Sequence, residues 1–587
     1  MNYEGIIPPT GPTMAAPSGY LIPILLSIGL YALYRRLLPK PLAGIPYNPS
    51  SAASLFGDGP DMARTVAATS EFGPWCAAQI EKTGSPLCQV FVRPFAKPWV
   101  LLADYRETYD ILGRRTAPAH DADFDKSTFI TDSMSFLGEF TAALRTSTRG
   151  DRFKSSRALM QDLMTPSFLH GVMGPAVHER CMELVRLLEA KTRLAGGRPF
   201  SIMTDLDYAA LDVMLYFAFT TNFDQTSLGP QIELMSRLTT SDLPDGHIDE
   251  PITFPEAPVG KFITAVRSAP GVVEACVSSL APKLKREWWK RQSWYKNIIS
   301  QRSQVIRDQV IKALKDYDGG EMRSAIGHMF MREKREAEKQ GRAPKLETDV
   351  LVDEIFGQIL AGNTTGAILS WLVKYLTKYP HIQAKLREVL YAALSQAVAE
   401  GRPPTFEELR QTRLSYLDAF IEETLRLNAV PVTRETIRDT TILGRHIPKG
   451  CQVFLISNGP GFLSPSLNVP ASERSPAARA AKINDHWDEK GDLRTFDPQR
   501  WLVSNSDGDS NAEFYGGAGP QLVFGHGARG CWGKRMAQME LRIVVALLVW
   551  HFEMLEIPEA LAGNTATEGI TRRPRVVFVR LRKVISG

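Results

Sequence analysis

In the run Phe524-x-x-Gly527-x-Arg529-x-Cys531-x-Gly533, a single thiol stands among glycines, two residues after an arginine and just ahead of a long apolar stretch. From Lys534 onward, KRMAQMELRIVVALLVWHF has the near-continuous apolar character of a helix buried in a large core. Cys531 therefore falls at or just before a helix N-terminus. Free amides and the positive end of the helix dipole would face its sulfur, a position that lowers a thiol's pKa and favours the thiolate. Gly527 and Gly533 permit tight turns and let a flat group approach the backbone. Arg529 offers a planar cationic fork suited to a carboxylate, and Phe524 can pack on a ring face. These five positions together suit a flat, anionic ligand. The other cysteines, at 76, 88, 181, 276 and 451, are too scattered for a disulfide framework and have no C-x-x-C spacing for zinc.

Other constellations need elements to position them. Glu423 and Arg426 in LDAFIEETLRLNAVPVTRET stand three apart, hence on one helix face, an arrangement that is usually a surface pair of little energetic worth. Arg434 follows them, Arg500 lies in TFDPQRWL, and GDRFKSSRALM places Phe153 and Arg157 four apart. The stretch TDVLVDEIFGQILAGNTTGAILSWLVKYLTKYP predicts one helix capped near Thr348 or Asp349 and running to Pro380. At about 1.5 Å per residue it would cross a whole domain. Its middle, Ala361 to Thr365, breaks helical propensity with a glycine, an asparagine and paired threonines. Buried threonines mid-helix otherwise bond back to the preceding turn's carbonyls.

The Cys531 segment resembles the haem-binding signature of the cytochrome P450 family, the haem-thiolate monooxygenases, with all five fixed positions filled at the right spacing. The resemblance implies haem b (iron protoporphyrin IX) as cofactor, Cys531 as the axial iron ligand and Arg529 as partner of a haem propionate, with Phe524, Gly527 and Gly533 completing the cofactor-binding segment. It implies that Arg434 contacts a propionate and that Arg157 holds the other, Phe153 replacing the family's tryptophan. Glu423, Arg426 and Arg500 match the family's structural Glu-Arg-Arg cluster, which keeps the surroundings of the cysteine loop in register. Thr365 matches the threonine of the oxygen-activation segment, while Thr364 stands where most members carry Asp or Glu. A hydroxyl can pass a proton along but cannot hold one in reserve as a carboxylic acid does, and Asp353 and Glu354 lie more than one turn upstream.

The family's activity is insertion of one oxygen atom from O2 into a lipophilic small molecule, by hydroxylation or epoxidation. The helix wording and the long segment before Arg500 are similar to filamentous-fungal members that decorate secondary metabolites. Too few residues follow Cys531 for a flavin or nicotinamide domain, so electrons are expected from NADPH through a separate cytochrome reductase, with cytochrome b5 as a further donor. Lys534, Arg535 and Arg542 would steer such an acidic partner. The substrate pocket is expected from the region around Phe124 to Phe140, from Gln358 to Thr365 and from Val430 to Val432. Thr364 motivates a second reading, a haem-thiolate isomerase, dehydratase or oxidative cyclase without net oxygen insertion. A third is a non-catalytic haem-binding protein.

The expected fold is mostly α with small β-sheets: the cytochrome P450 fold, a long central helix over the haem, preceded by an N-terminal transmembrane helix. PLCQVFVRPFAKPWVLLADY alternates and breaks at prolines like a hairpin with one half-buried face, and CQVFLIS and RVVFVRLRK read as short strands. Of the 587 residues 44% are hydrophobic and 23% charged, the balance of a globular chain with ample core. A net charge of +5 makes no case for a nucleic-acid partner. The basic, Trp-rich run Lys283 to Asn297 reads as a helix with buried indoles and a basic face toward solvent or anionic lipid. MREKREAEKQGRAPKLE reads as a solvated helix end and loop.

Tyr20 to Tyr34 is almost wholly apolar and is followed by Arg35, Arg36 and Lys40, which predicts a signal anchor with the body in the cytosol. The alternative is a buried N-terminal helix. The expected organisation is a short luminal N-terminus over 1–19, a transmembrane anchor over 20–38, a proline-rich hinge over 39–50 and a haem-thiolate monooxygenase domain over 51–587. Its place would be the endoplasmic reticulum membrane, single-pass, with membrane lipid as a partner.

Overall fold

A computed structural model of the chain describes residues 18–116, 122–128, 131, 146–220, 223–277, 282–315, 323–345, 349–362, 364–481, 483, 487–504 and 512–584. Helices dominate and the sheets are small, as the sequence predicts. At the N-terminus, α1 (Ser18–Leu37) contains Pro23 and ends on Arg35 and Arg36. Among the described residues no helix is long and apolar enough to cross a membrane, so the predicted transmembrane helix over 20–38 is not supported. The arginine pair ends the apolar run short of the roughly 20 residues that a span requires. Nor is α1 a buried helix, since Ile24, Leu25, Leu26, Ile28, Leu30, Tyr31 and Leu33 are all exposed. The segment that follows is tied down by a buried glutamine: Gln89 donates from Nε2 to the carbonyls of Leu42 (2.9 Å) and Ile45 (2.8 Å) and accepts from the Leu42 amide at 2.8 Å. The predicted luminal segment up to residue 17 lies outside the described residues.

Five strands, β1 (Leu87–Val90), β2 (Trp99–Leu102), β3 (Phe124–Asp125), β4 (Val432–Thr436) and β5 (Gln452–Leu455), form a sheet in the order β1-β2-β5-β4-β3. The expected hairpin is present, with Leu87 opposite Leu102 and Val90 opposite Trp99. It is buried on both faces rather than one. Leu87, Val100 and Leu102 enter one core while Cys88, Val90, Trp99 and Leu101 enter another on the opposite side. The pairing of β3 with β4, Asp125 opposite Glu435, brings Asp125 near Arg434.

The helical body is built from α2 (Asp151–Met160), α3 (Gly174–Ala195), α4 (Met203–Phe219), α5 (Lys261–Val277), α6 (Pro282–Trp289), α7 (Ser293–Lys315), α8 (Asp349–Gly362), α9 (Thr365–Lys378), α10 (Ser415–Leu427) and α11 (Lys534–His551). As its composition predicts, α11 is buried from Ile543 to Trp550, with α3, α9 and α10 packed against it. The predicted single helix from 348 to Pro380 is instead two, α8 and α9. The Thr364 amide bonds the Ala361 carbonyl and the Ala367 amide bonds the Thr364 carbonyl, each at 3.1 Å, three residues apart rather than four. Gly362 has a packing reason: a Cβ there would lie 2.1 Å from Met214 Cγ on α4.

The basic, Trp-rich run also divides, into α6 and the start of α7. Trp289 and Tyr295 are buried, but Trp288 and Trp294 are exposed, which corrects the expectation of buried indoles. The interleaved charges of MREKREAEK form the expected solvated helix end, where Arg342 folds back on Glu333 at 2.6 Å.

Candidate functional site

The loop before α11 is closed on itself by backbone bonds: the Cys531 amide donates to the Phe524 carbonyl (2.7 Å) and the Gly530 amide to the Gly527 carbonyl (2.9 Å). Gly527 sits at φ +69° with its α-carbon so close to the neighbouring helix that a Cβ would lie 2.1 Å from the Leu112 carbonyl oxygen. Only glycine fits there. Gly533 is different, with φ −80° and no protein atom within 4 Å of where a Cβ would be. The protein's own turn does not require that glycine, contrary to the turn role expected from sequence; a Cβ there would meet no atom of the described residues.

Cys531 is exposed, whereas Cys76, Cys88, Cys181 and Cys451 are buried. The amides of Gly533 and Lys534 donate to its sulfur, and the Arg157 and Lys534 cations add their attraction. Loss of bulk water around the sulfur outweighs them and holds the thiol above its ordinary pKa. The expected depression by the helix terminus is thus present but overridden by desolvation. A coordinated metal ion removes a thiol's proton outright.

Three guanidiniums converge beside this loop. Arg529 is 8% exposed, donates to Thr146 O (3.1 Å) and Thr148 Oγ1 (2.9 Å), and lies 3.6 Å from Asp125. Arg434, on β4, is buried and donates from Nη1 to the Thr433 carbonyl at 2.8 Å, but its Nε has no partner among the described residues. Arg157, on α2, is half-buried, reaches the Gly530 carbonyl at 3.4 Å, and its buried Nε likewise has no partner among the described residues. Phe153 lies between two of them, 5.5 Å from Arg157 Cζ and 5.2 Å from Arg529 Cζ, so its ring face serves cations. Burial pushes Arg434 down to about 9, with Arg529's charge adding to the effect. Arg529 falls to about 10 through burial, Asp125 opposing and Arg157 assisting. Asp125 is already bonded by Ser147 and Thr148. Buried positive charge is costly without counter-charge; Asp125 faces Arg434 and Arg529, and Glu354 faces Arg157. An accessible thiol with Arg157, Arg434 and Arg529 gathered beside it fits a flat metal-bearing ring with two carboxylates.

The Glu423–Arg426 pair is fully buried on α10, with Nε–Oε2 at 2.8 Å and Nη2–Oε1 at 2.7 Å, not the surface pair its spacing alone suggests. Arg426 also donates to the carbonyls of Phe462 and Leu493. Arg500 completes the cluster at the rim, 4.0 Å from Glu423 and bonded to the Asp492 carbonyl at 3.2 Å. Two residues missed in the sequence belong here. Trp501 donates from Nε1 to Glu423 Oε2 at 2.9 Å, and Trp487 lies under both Arg426 (5.2 Å) and Arg500 (5.8 Å).

At the α8–α9 junction the two threonines part company. Thr364 is half-buried and its hydroxyl donates back to the Ala361 carbonyl at 2.6 Å. Thr365 is buried and its side chain faces the carboxyl of Glu540 on α11. Upstream, Asp353 pairs with Arg302 at 2.7 Å and Glu354 accepts from Ser156 at 3.0 Å, so both are committed elsewhere. Glu540 was overlooked, although a lone acid in an apolar helix run is a legible signal. Of the expected pocket wall, Phe124 is buried on β3 and Val430 to Val432 are half-buried; residues 132–140 lie outside the described residues. Arg542, offered as a partner-steering cation, pairs with Asp418 and donates to the Thr412 carbonyl, whereas Lys534 and Arg535 are exposed.

The family model for Cytochrome P450 matches residues 80–459 and 493–577. The chain belongs to the cytochrome P450 family. Among its relatives, cytochrome P450 monooxygenase xilC of Penicillium crustosum is 38% identical over 94% of each chain. Cytochrome P450 monooxygenase TRI13 of Fusarium sporotrichioides is 34% identical over 95% of this chain and 98% of its own. A third, Hps1-dma1 cluster cytochrome P450 monooxygenase cyp3.1 of Dothistroma septosporum, is 36% identical over 45% of this chain and 88% of its own. This cytochrome P450 is accordingly a monooxygenase of the haem-iron type. Cys531 would hold the iron, and Arg157, Arg434 and Arg529 would hold the carboxylates of its ring.

Proposed function

We propose that this cytochrome P450 inserts one oxygen atom from O2 into a lipophilic small molecule of fungal secondary metabolism, using haem b and electrons passed from NADPH through a separate reductase. The observation that carries it is the accessible Cys531 beside Arg157, Arg434 and Arg529, of which Arg434 is buried and, like Arg157, has an Nε without a partner among the described residues. When bound, thiolate-ligated haem supplies the oxygen chemistry, the sulfur's electron density favouring O–O cleavage. The chain's own tasks are to hold, shield and feed protons. Arg157, Arg434 and Arg529 fix the ring by charge-assisted bonds. The Glu423–Arg426–Arg500 cluster with Trp501 keeps the segment from Leu493 to Arg500 against α10. Thr365, buried and facing a carboxyl, can move a proton, which supports oxygen insertion over the non-inserting alternative.

The exposed Lys534 and Arg535 at the start of α11 suit an acidic electron donor. We place the chain at the endoplasmic reticulum membrane, with the body facing the cytosol. Two features support this: the exposed apolar face of α1, and the exposed Leu284, Trp288, Trp294 and Ile311 of α6 and α7 among Lys285, Arg286, Lys290 and Lys296. Aromatic and aliphatic side chains ringed by cations suit an interfacial contact with anionic lipid. Lipophilic substrates would then partition from the bilayer. The test compares metabolites of a producing strain carrying the intact chain with one carrying Cys531→Ser. Accumulation of a precursor lacking one oxygen supports insertion; a precursor differing from the product by water or two hydrogens overturns it.

A further inference from the structure

The helix Tyr105–Gly113 lies between the cysteine loop and the long segment that precedes Arg500, and its two faces serve different neighbours. Tyr105, Tyr109 and Leu112, at i, i+4 and i+7, share one face. On it the Tyr105 hydroxyl donates to the Gln521 carbonyl at 3.3 Å. The Tyr109 ring lies flat on the His526 imidazole, with 3.8 Å between centroids and 22° between planes. Gly113 makes room for that imidazole, since a Cβ there would lie 3.1 Å from His526 Nε2, and Gly527 closes on the Leu112 carbonyl. Asp104, Glu107 and Asp110 form the opposite face, and residues 474–475 bond all three. Arg474 donates from Nη2 to Asp104 Oδ2 at 2.6 Å, the Ser475 amide to Glu107 Oε2 at 2.9 Å and the Ser475 hydroxyl to Asp110 Oδ2 at 2.8 Å. All three carboxylates are buried, where charge-assisted bonds hold geometry well.

The turn from Gly525 to Gly530 takes its shape from its own backbone bonds, with φ +59° at Gly525 and +69° at Gly527. Those bonds fix its form and leave its placement to outside contacts. Arg157 and Arg529 hold the end next to Cys531. The stack on Tyr109 holds the other end, against a helix pinned from behind by Arg474 and Ser475. We propose that Tyr109 is a positioning residue for the iron-binding sulfur: through His526 it sets where the Cys531 loop sits, and the Arg474–Ser475 clamp keeps Tyr109's helix in place. The inference rests on ligation of haem iron by Cys531, as read above. Groups behind a metal ligand orient it and tune the metal, so a displaced loop gives the iron a less well-seated sulfur.

The experiment uses the full chain loaded with haem, as wild type, Tyr109→Leu, Tyr109→Phe, His526→Ala, Tyr109→Leu combined with His526→Ala, and Arg474→Met. The reduced carbon monoxide spectrum of each reads the red-shifted thiolate band against the shorter-wavelength band of haem whose sulfur is protonated or displaced. A stacked ring pair is worth about 2- to 10-fold in an equilibrium. Tyr109→Leu keeps apolar volume without a ring face and is expected to lower the band ratio by that factor. His526→Ala lowers it as much, and the double variant is no worse than either. Tyr109→Phe, which loses only the hydroxyl, holds the wild-type ratio, and Arg474→Met lowers it by a smaller factor. The ferric–ferrous reduction potential rises in the same order, because a poorly seated thiolate gives iron less electron density. A Tyr109→Leu chain that melts earlier but keeps the wild-type ratio and potential overturns the proposal. So does a fall in Tyr109→Phe equal to that in Tyr109→Leu, or a double variant whose losses multiply. An unchanged ratio in Arg474→Met overturns the part given to the clamp. If wild type itself lacks the thiolate band, the haem-thiolate reading fails; with the band present in wild type, only the Tyr109 assignment is at stake.

Discussion

Arg434 illustrates how a residue serves a ligand at the expense of the empty protein. It is buried, has an unpartnered Nε and is depressed to about 9 by burial and by the neighbouring Arg529. Replacing it with methionine removes an under-compensated buried charge. Arg434→Met is therefore expected to stabilise the haem-free chain by about 1–4 kcal/mol, the range seen when buried ionic groups give way to apolar ones, while weakening haem retention. Urea denaturation of haem-free protein and haem loss to an acceptor globin measure the two effects. A fall in both would mean that Arg434 is paired within the protein itself. The residue-level chemistry of Cys531 and the arginines was legible because types and spacing carried it. The competition between the helix-terminus amides and desolvation at the sulfur was not, since it depends on which atoms crowd around it.

At the scale of elements, the two glycines flanking Cys531 do different work. Gly527→Ala forces a Cβ to 2.1 Å from a backbone oxygen at a positive φ and has nothing flexible to displace, so it is expected to destabilise the loop by at least about 1–3 kcal/mol, the usual cost of overpacking. Gly533→Ala meets no protein atom; the haem-free chain should melt as wild type does while haem content falls. Calorimetry of the haem-free variants and haem-to-protein ratios after expression check both, and equal melting losses would remove the distinction. The strands 99–102, 452–455 and 578–583, and the helix after Cys531, follow from apolar patterning. The division into α8 and α9 did not, because a turn of three-residue bonds leaves periodicity almost intact. Burial of Glu423–Arg426, and the roles of Trp501 and Trp487, depend on contacts across long sequence separations that no local pattern records.

For the whole molecule, several buried carboxyls share one sign, Asp212 at about 6 among them. Glu422 and Glu568 are pushed up to about 7 and Glu540 to about 8 by burial, from an ordinary 4.5. A carboxyl raised on folding binds its proton more tightly in the native state. Its stabilising contribution is therefore complete below the unfolded pKa and is lost as pH rises through the folded one. These carboxyls thus cost the chain stability between about pH 5 and about pH 8, each tenfold gain in a group's proton affinity on folding being worth about 1.36 kcal/mol, while His526 and His551, held below their ordinary pKa by burial, act in the opposite sense. Glu540→Gln should flatten that loss in urea titrations of the haem-free protein; an identical loss in the variant would show that Glu540 ionises freely. The apolar N-terminal stretch was legible as a helix but not as a span, because Arg35 and Arg36 cut the apolar run short.

Everything assigned to this cytochrome P450 turns on sulfur ligation of iron by Cys531. The measurement that tests it most directly is the reduced carbon monoxide spectrum of the purified full chain beside Cys531→Ser. Wild type should show the red-shifted absorption of a thiolate-ligated haem carbonyl, and the serine variant should lose it while keeping the fold of α11. The same red-shifted band in Cys531→Ser, or its absence from wild type loaded with haem, would contradict the account.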